Sequence, residues 1–98
     1  MTITIGQTTF DHVVYDKTGD VLYLHVGDPS SADDFDETPE GHALRFDADG
    51  ELVGVTIVNA RWLMEKDAHL TITMPERVEV ERSVLAQAIH AASIAHIP

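Results

Sequence analysis

Apolar and polar residues alternate along much of the first sixty positions, which predicts β-strands rather than helices. Two β-branched and aromatic runs, residues 12–16 and 21–26, flank a short turn that contains Gly19. Such a pair of runs predicts an antiparallel hairpin. The length of the turn sets the register and places His12 opposite His25.

A second hairpin is predicted from residues 42–47 and 51–58, joined by a turn at Asp47-Ala-Asp-Gly50. A type I turn followed by a bulge with Gly50 in the left-handed region suits these residues. A two-residue type I′ turn at Asp49-Gly50 is the competing interpretation and shifts the register by one. Residues 52–58 carry apolar groups at both alternating sets of positions, which favours a central strand.

Between the hairpins, residues 27–40 contain six carboxylates and two prolines, with Phe35 as the large apolar residue. This composition predicts a solvated loop. The candidates for binding a partner in this loop are acidic: Asp33, Asp34, Asp36 and Glu37.

The rest of the chain mixes helix and strand signals. Asn59 is an acceptable N-cap for a short helix over residues 60–66. Residues 69–74 alternate like a strand that ends at Pro75, and residues 77–80 are expected to prolong it.

A final helix is predicted over residues 83–97, with Ser83 as its N-cap. Leu85 and Ile89 belong to an apolar stripe at helical spacing, whereas Ile94 falls off that stripe. The last turns are therefore apolar nearly all round, and docking against a second copy of the chain, or against another protein, would explain this. The alternatives are a helix that packs on its own sheet and a frayed end. We expect a homodimer, with Leu85, Ile89 and Ile94 as contact candidates.

These elements predict one α+β domain over residues 1–98, with an antiparallel sheet of four to five strands and one or two helices on one face. Residues 1–9 are Thr-rich and are expected to form an extra strand or a frayed arm. Ninety-eight residues suffice for one core.

The net charge is −11, from 17 carboxylates against 6 lysines and arginines that are spread singly along the chain. This charge disfavours nucleic acid and anionic membranes and suits a basic protein partner. The absence of cysteine excludes disulfides, thiolate metal sites and a cysteine nucleophile. No signal peptide or membrane-spanning stretch is evident, so we expect a cytoplasmic location.

No nucleophile elbow, phosphate loop or dinucleotide fingerprint is present in the sequence, and we expect neither enzymatic activity nor a cofactor. Six histidines are more than expected for this length. His12 and His25 face each other across the hairpin and could bind Zn²⁺ with His42 or a loop carboxylate. Histidines that simply face solvent on the sheet are the commoner case, and a pH-responsive pair is a further interpretation.

The core resembles the small bacterial family known as domain of unknown function 2283, over residues 13–60. The matching stretches are Tyr15-Asp16, then Asp20-Val-Leu-Tyr-Leu24, and Asp47-Ala-Asp-Gly-Glu-Leu-Val-Gly-Val-Thr-Ile57. An acidic loop lies between them, as in that family. Members often lie beside small toxin-like genes, so the resemblance implies an antitoxin-like role, and the family supplies no catalytic residues.

From these observations we expect a non-enzymatic, acidic protein-interaction module, antitoxin-like toward a basic partner. The alternative is a small metal-binding protein or enzyme that uses His12, His25 and loop carboxylates.

Overall fold

The computed structural model describes residues 2–27, 32–74 and 76–95. Its elements, in chain order, are β1 (Ile3–Ile5), β2 (Thr8–Phe10), β3 (His12–Asp16), β4 (Val21–His25), β5 (Asp34–Glu37), β6 (Ala43–Phe46), β7 (Leu52–Val58), α1 (Ala60–Lys66), β8 (His69–Thr73), β9 (Arg77–Glu81) and α2 (Arg82–Ala95).

Five antiparallel strands form the main sheet in the order β3-β4-β7-β6-β5, so the predicted fold class is confirmed. Strand β7 is central, as its two apolar faces predicted. The predicted register of the first hairpin is also confirmed, because His12 pairs with His25 and Val14 with Tyr23.

The two faces of this sheet differ in what covers them. We call the covered face of this sheet the inner face. The buried side chains on it are Tyr15, Leu22, Leu24, Leu44, Val55 and Ile57. Side chains of the outer face include three exposed apolar groups, Val14, Tyr23 and Val58. An antiparallel sheet with one covered face commonly shows this alternation.

The inner face packs against both helices and two small hairpins. Strands β1 and β2 pair with each other and bury Phe10 in the core, so residues 3–9 form the extra strands and not a frayed arm. Strands β8 and β9 form the second small hairpin and bury Ile72. Helix α2 contributes Leu85 and Ala88 to the same apolar cluster.

The turn of the second hairpin is the type I turn with a bulge glycine, and the type I′ alternative is excluded. The Gly50 amide donates to the Asp47 carbonyl at 3.0 Å, and the Asp47 amide donates to the Glu51 carbonyl at 2.9 Å. Gly50 has φ 81°, the left-handed conformation that this bulge requires. The Asp47 carboxylate stabilises the turn by accepting from the amides of Asp49 and Glu51.

Two predicted segments are wrong. Residues 34–37, expected in a solvated loop, form strand β5 because they pair with β6. Residues 77–80, expected to prolong the strand before Pro75, turn back and form β9. Residues 28–31 and Pro75 lie outside the described residues.

Both predicted helix caps are also wrong in detail. Asn59 occupies the N-cap position of α1, yet its backbone is left-handed and its side chain makes no capping hydrogen bond. Helix α2 begins at Arg82, so Ser83 lies inside its first turn. In the three described ranges, neither helix has the length and apolar character needed to cross a bilayer.

Candidate interaction site

Strand β5 lines one edge of the main sheet with acidic side chains. Together with the preceding residue it forms what we call the acidic strip (Asp33, Asp34, Asp36 and Glu37), all four of which are exposed. Phe35 lies within this strip, and its side chain is 76% exposed. Three of the predicted acidic candidates thus lie on strand β5, and Asp33 directly precedes it.

Two amides on the free edge of β5 are occupied by the strand's own aspartates. The Phe35 amide donates to Oδ1 of Asp34 at 2.8 Å, and the Glu37 amide donates to Oδ1 of Asp36 at 2.8 Å. Alternate amides of an edge strand point away from the sheet, and unpaired ones recruit other strands. These two amides therefore already have acceptors within their own strand.

A row of polar and aromatic residues crosses the outer face beside the strip. Strand pairing sets His12 beside His25, His25 beside Gly54, Gly54 beside Arg45, and Arg45 beside Phe35. Sequence reasoning placed the two histidines in this row but missed Gly54 and Arg45. A glycine inside a strand often marks a close approach, and this signal could have pointed to the site.

Gly54 opens a notch in this row. A cavity of about 290 Å³ lies here, with His12, His25, Arg45 and Tyr23 among the residues around it. A Cβ at Gly54 would lie 3.0 Å from Cδ2 of His25 and 3.2 Å from Cβ of Arg45. The notch therefore depends on the absence of a side chain at position 54.

The imidazole of His25 is only 8% exposed, and neither ring nitrogen has a hydrogen-bond partner in the described part of the chain. An unsatisfied buried polar group costs about 1–3 kcal/mol. In contrast, Nδ1 of His12 lies 2.9 Å from Oδ1 of Asp11, which also accepts from the Gly27 amide. The hydrogen bond from Gly27, followed by that from His12, holds the pKa of Asp11 below its usual range.

His42, the third predicted metal candidate, does not join the other two. It is 2% exposed, and alternation places it with Leu44 on the inner side of the sheet. Its Nδ1 accepts from the Val58 amide at 3.1 Å, and burial lowers its pKa despite the opposing charge of Glu40. Within the described ranges, no three histidine, aspartate or glutamate side chains cluster in a way that could hold a metal ion.

Glu40, the last carboxylate of the acidic segment, has a structural role. Its oxygens accept from the Thr73 amide at 3.0 Å and from the Thr73 hydroxyl at 2.9 Å. Burial alone would raise the pKa of Glu40, but these hydrogen bonds outweigh it and lower that pKa. The contact ties the loop before β6 to strand β8.

Asp20 caps helix α1 from the first hairpin, a role that sequence reasoning assigned to Asn59. Its carboxylate accepts from the amides of Arg61 at 2.8 Å and Trp62 at 3.1 Å, and from the Tyr15 hydroxyl at 2.7 Å. Its carbonyl accepts from the Ala60 amide. Burial alone would raise the pKa of Asp20, but the hydrogen bonds outweigh it and lower that pKa. Burial, followed by the bond to Asp20, raises the pKa of Tyr15 to about 12.

The partner candidates on helix α2 are placed differently from the acidic ones. Leu85 and Ile89 pack into the apolar core of their own chain, so neither is exposed for the contact with a second copy that was predicted for them. The side chain of Ile94 lies outside the described residues. The homodimer stays a prediction, without the support of Leu85 and Ile89.

The fold and the outer face define a small α+β domain with an open antiparallel sheet and an acidic edge. The chain belongs to the family described as protein of unknown function (DUF2283), whose model matches residues 12–61. The match covers strands β3 to β7 and reaches the start of α1. No curated protein and no solved structure matches the chain.

Proposed function

We propose that this chain is a non-enzymatic interaction module that binds a basic protein partner through the acidic strip and Phe35. The observation that carries the proposal is an aromatic residue, Phe35, 76% exposed on the same sheet edge as four exposed carboxylates, of which Glu37 alternates to the same face as Phe35. Aromatic side chains supply much of the contact energy at protein interfaces. The carboxylates add charge complementarity, which steers association and selects the partner.

Charge determines which partner fits. At a net charge of −11, the chain repels phosphate backbones and other acidic proteins. Two copies of the acidic strip also repel each other, which disfavours a second copy as the occupant of this edge. A basic toxin, the partner class that the family resemblance suggests, is one case of such a partner.

The occupied amides of Phe35 and Glu37 determine the mode of binding. Adding a strand to β5 would require both aspartates to release these amides. We therefore expect the partner to place lysine or arginine side chains against the carboxylates and an apolar group against Phe35.

A peptide experiment tests this proposal. The probe is a fluorescein-labelled twelve-residue peptide in which lysine alternates with valine, and its counterpart has glutamate in place of lysine. We expect anisotropy to show binding of the lysine peptide alone. Asp33→Asn with Glu37→Gln should weaken binding about two- to thirtyfold, since two exposed ion pairs are removed and each contributes roughly 0.2–1 kcal/mol. Phe35→Ala should weaken it by a similar factor.

The matched control is Glu79→Gln with Glu81→Gln, which changes the net charge equally on exposed positions of β9. This control should alter binding less than twofold. An equal loss in the control would mean nonspecific charge attraction and would contradict the proposal. Equal binding of the glutamate peptide, or no effect of Phe35→Ala, would also contradict it.

A further inference from the structure

The notch above Gly54 has the features of a small binding site, and it does not depend on the acidic strip. It combines a cavity of about 290 Å³ with a buried imidazole whose two nitrogens lack partners in the described residues. Ligand pockets usually pair apolar walls with a few polar groups that fix orientation. Val14 and Tyr23 supply the apolar wall here, and His25, Arg45 and Thr56 supply the polar groups.

The positive charge of Arg45 favours an anionic ligand in the notch. Across the described ranges, no carboxylate forms an ion pair with its guanidinium, although the chain carries 17 carboxylates and 6 basic residues. A guanidinium presents a planar fork that matches a carboxylate in a bidentate geometry. An arginine beside the cavity also repels metal cations, and His12 and His25 alone are fewer ligands than Zn²⁺ requires.

We infer that the notch over Gly54 binds a small monocarboxylic acid, with its carboxylate between Arg45 and His25 and its apolar body against Val14 and Tyr23. Both ring nitrogens of His25 are buried without a partner in the described residues, so a small rotation of the ring would let an imidazole N–H donate to the acceptor-only carboxylate. A single negative charge suits this site better than a phosphate dianion, since the rest of the chain is strongly acidic. The cavity volume is at the lower end of the usual range for ligand pockets, which fits a small ligand.

Gly54 is the residue on which ligand entry depends. The carbon added by Gly54→Ala would lie 3.0 Å from the His25 ring and 3.4 Å from the Leu24 carbonyl oxygen, and it would occupy the floor of the notch. Arg45 is exposed, so Arg45→Gln removes the charge with little effect on packing. The two variants test the shape and the charge of the site separately.

The experiment titrates the ¹⁵N-labelled full chain with benzoate and follows amide shifts by NMR and heat by calorimetry. We expect saturable shifts at His25, Arg45 and Gly54. Benzamide, the neutral isostere, should bind at least tenfold more weakly, and inorganic phosphate should not compete. Arg45→Gln should weaken benzoate binding at least tenfold, and Gly54→Ala should abolish it. Arg61→Gln, which removes an exposed arginine from helix α1, is the control and should bind as wild type.

Several results would overturn the inference. These are no saturable binding of benzoate, equal affinity for benzamide, unchanged affinity in Arg45→Gln, or shifts confined to residues away from the outer face. Because Gly54→Ala could lower stability, its spectrum is compared with wild type first, and His25→Gln provides a second variant at the same site. Retention of full affinity in His25→Gln would remove the imidazole from the site and contradict the proposed geometry.

Discussion

Replacing Asp20 tests whether one carboxylate joins the first hairpin to helix α1. Asp20→Asn keeps a side-chain oxygen for Tyr15 and Arg61 but puts an amide nitrogen opposite the Trp62 amide, which is also a donor. One hydrogen bond is lost, and the other two lose their charge assistance. Charged hydrogen bonds contribute about 1.5–3 kcal/mol and neutral ones about 0.5–1.5 kcal/mol. After discounting for partial solvent contact, we expect Asp20→Asn to lower the free energy of unfolding by about 1–2 kcal/mol.

Comparison of Asp20→Ala with Asp20→Gly separates the cap from the backbone. Asp20 has φ 55°, a left-handed conformation that glycine adopts freely and alanine does not. Both variants lose all three side-chain hydrogen bonds, and alanine adds a conformational penalty of about 1 kcal/mol. We expect stabilities in the order wild type, Asn, Gly, Ala.

Urea unfolding, followed by the fluorescence of Trp62 and by circular dichroism, measures these differences. The lowered pKa of Asp20 means that its stabilisation is present above the ordinary value of 3.8 and is lost as pH falls through the folded value. The difference in the free energy of unfolding between wild type and Asp20→Asn should therefore become smaller below about pH 4. Asp49→Asn, in an exposed turn, is the control and should stay within about 0.5 kcal/mol of wild type. An Asp20→Asn variant as stable as wild type at pH 7, or a difference unchanged at low pH, would refute the capping argument.

Two further predictions concern the turn at Gly50 and the buried side chain of His42. Gly50→Ala should lower the free energy of unfolding by about 1 kcal/mol in the same urea assay, because Gly50 has φ 81°; no change would contradict the bulge assignment. His42→Asn should preserve an acceptor for the Val58 amide and remove a titrating group whose folded pKa is lowered. Because the pKa of His42 is lowered in the folded state, the unfolded chain takes up the proton at a higher pH than the folded chain does. The free energy of unfolding of the wild type should therefore fall as pH drops below about 6.5, by up to about 1.4 kcal/mol per pH unit from this group. Equal slopes in wild type and His42→Asn between pH 6.5 and 5 would contradict this assignment.

Local patterns were sufficient to predict the hairpins. Alternation and a short turn set His12 opposite His25, and the pairing is confirmed. The turn at Asp47-Ala-Asp-Gly50 had two interpretations because both place glycine where positive φ is tolerated. The choice depends on the Asp47 carboxylate, which binds two amides of the turn, and a sequence does not show which amides it reaches.

Strand β5 could not be predicted from its own residues. Aspartate disfavours strands because its side chain competes for nearby amides. In β5 that tendency is compatible with the strand, since Asp34 and Asp36 bind only the amides that follow them, while the strand pairs with β6 on its other side. The same side-chain chemistry that predicted a loop occupies two amides of the exposed edge.

The parts of the site that could not be predicted from the sequence are contacts between residues that lie far apart along the chain. Asp20 reaches Arg61 across forty-one residues, and no local pattern carries such a pairing. The notch similarly depends on the meeting of β4, β7 and β6, which brings His25, Gly54 and Arg45 together. Each residue alone has an ordinary explanation, and only the strand order shows that they are neighbours.

The residues that the family model matches contain the main sheet but not the segments that cover its inner face. Residues 12–61 contain all five strands of the main sheet and the contacts of Asp20 with Ala60 and Arg61, whereas α2 and the hairpins β1–β2 and β8–β9 lie outside the match. Those flanking segments cover the inner face, whereas the outer face with its notch and the edge strand that carries the acidic strip both lie within the matched residues. If the family shares a binding function, the outer face is therefore the surface on which to seek it, and substitutions in α2 should alter stability before they alter binding.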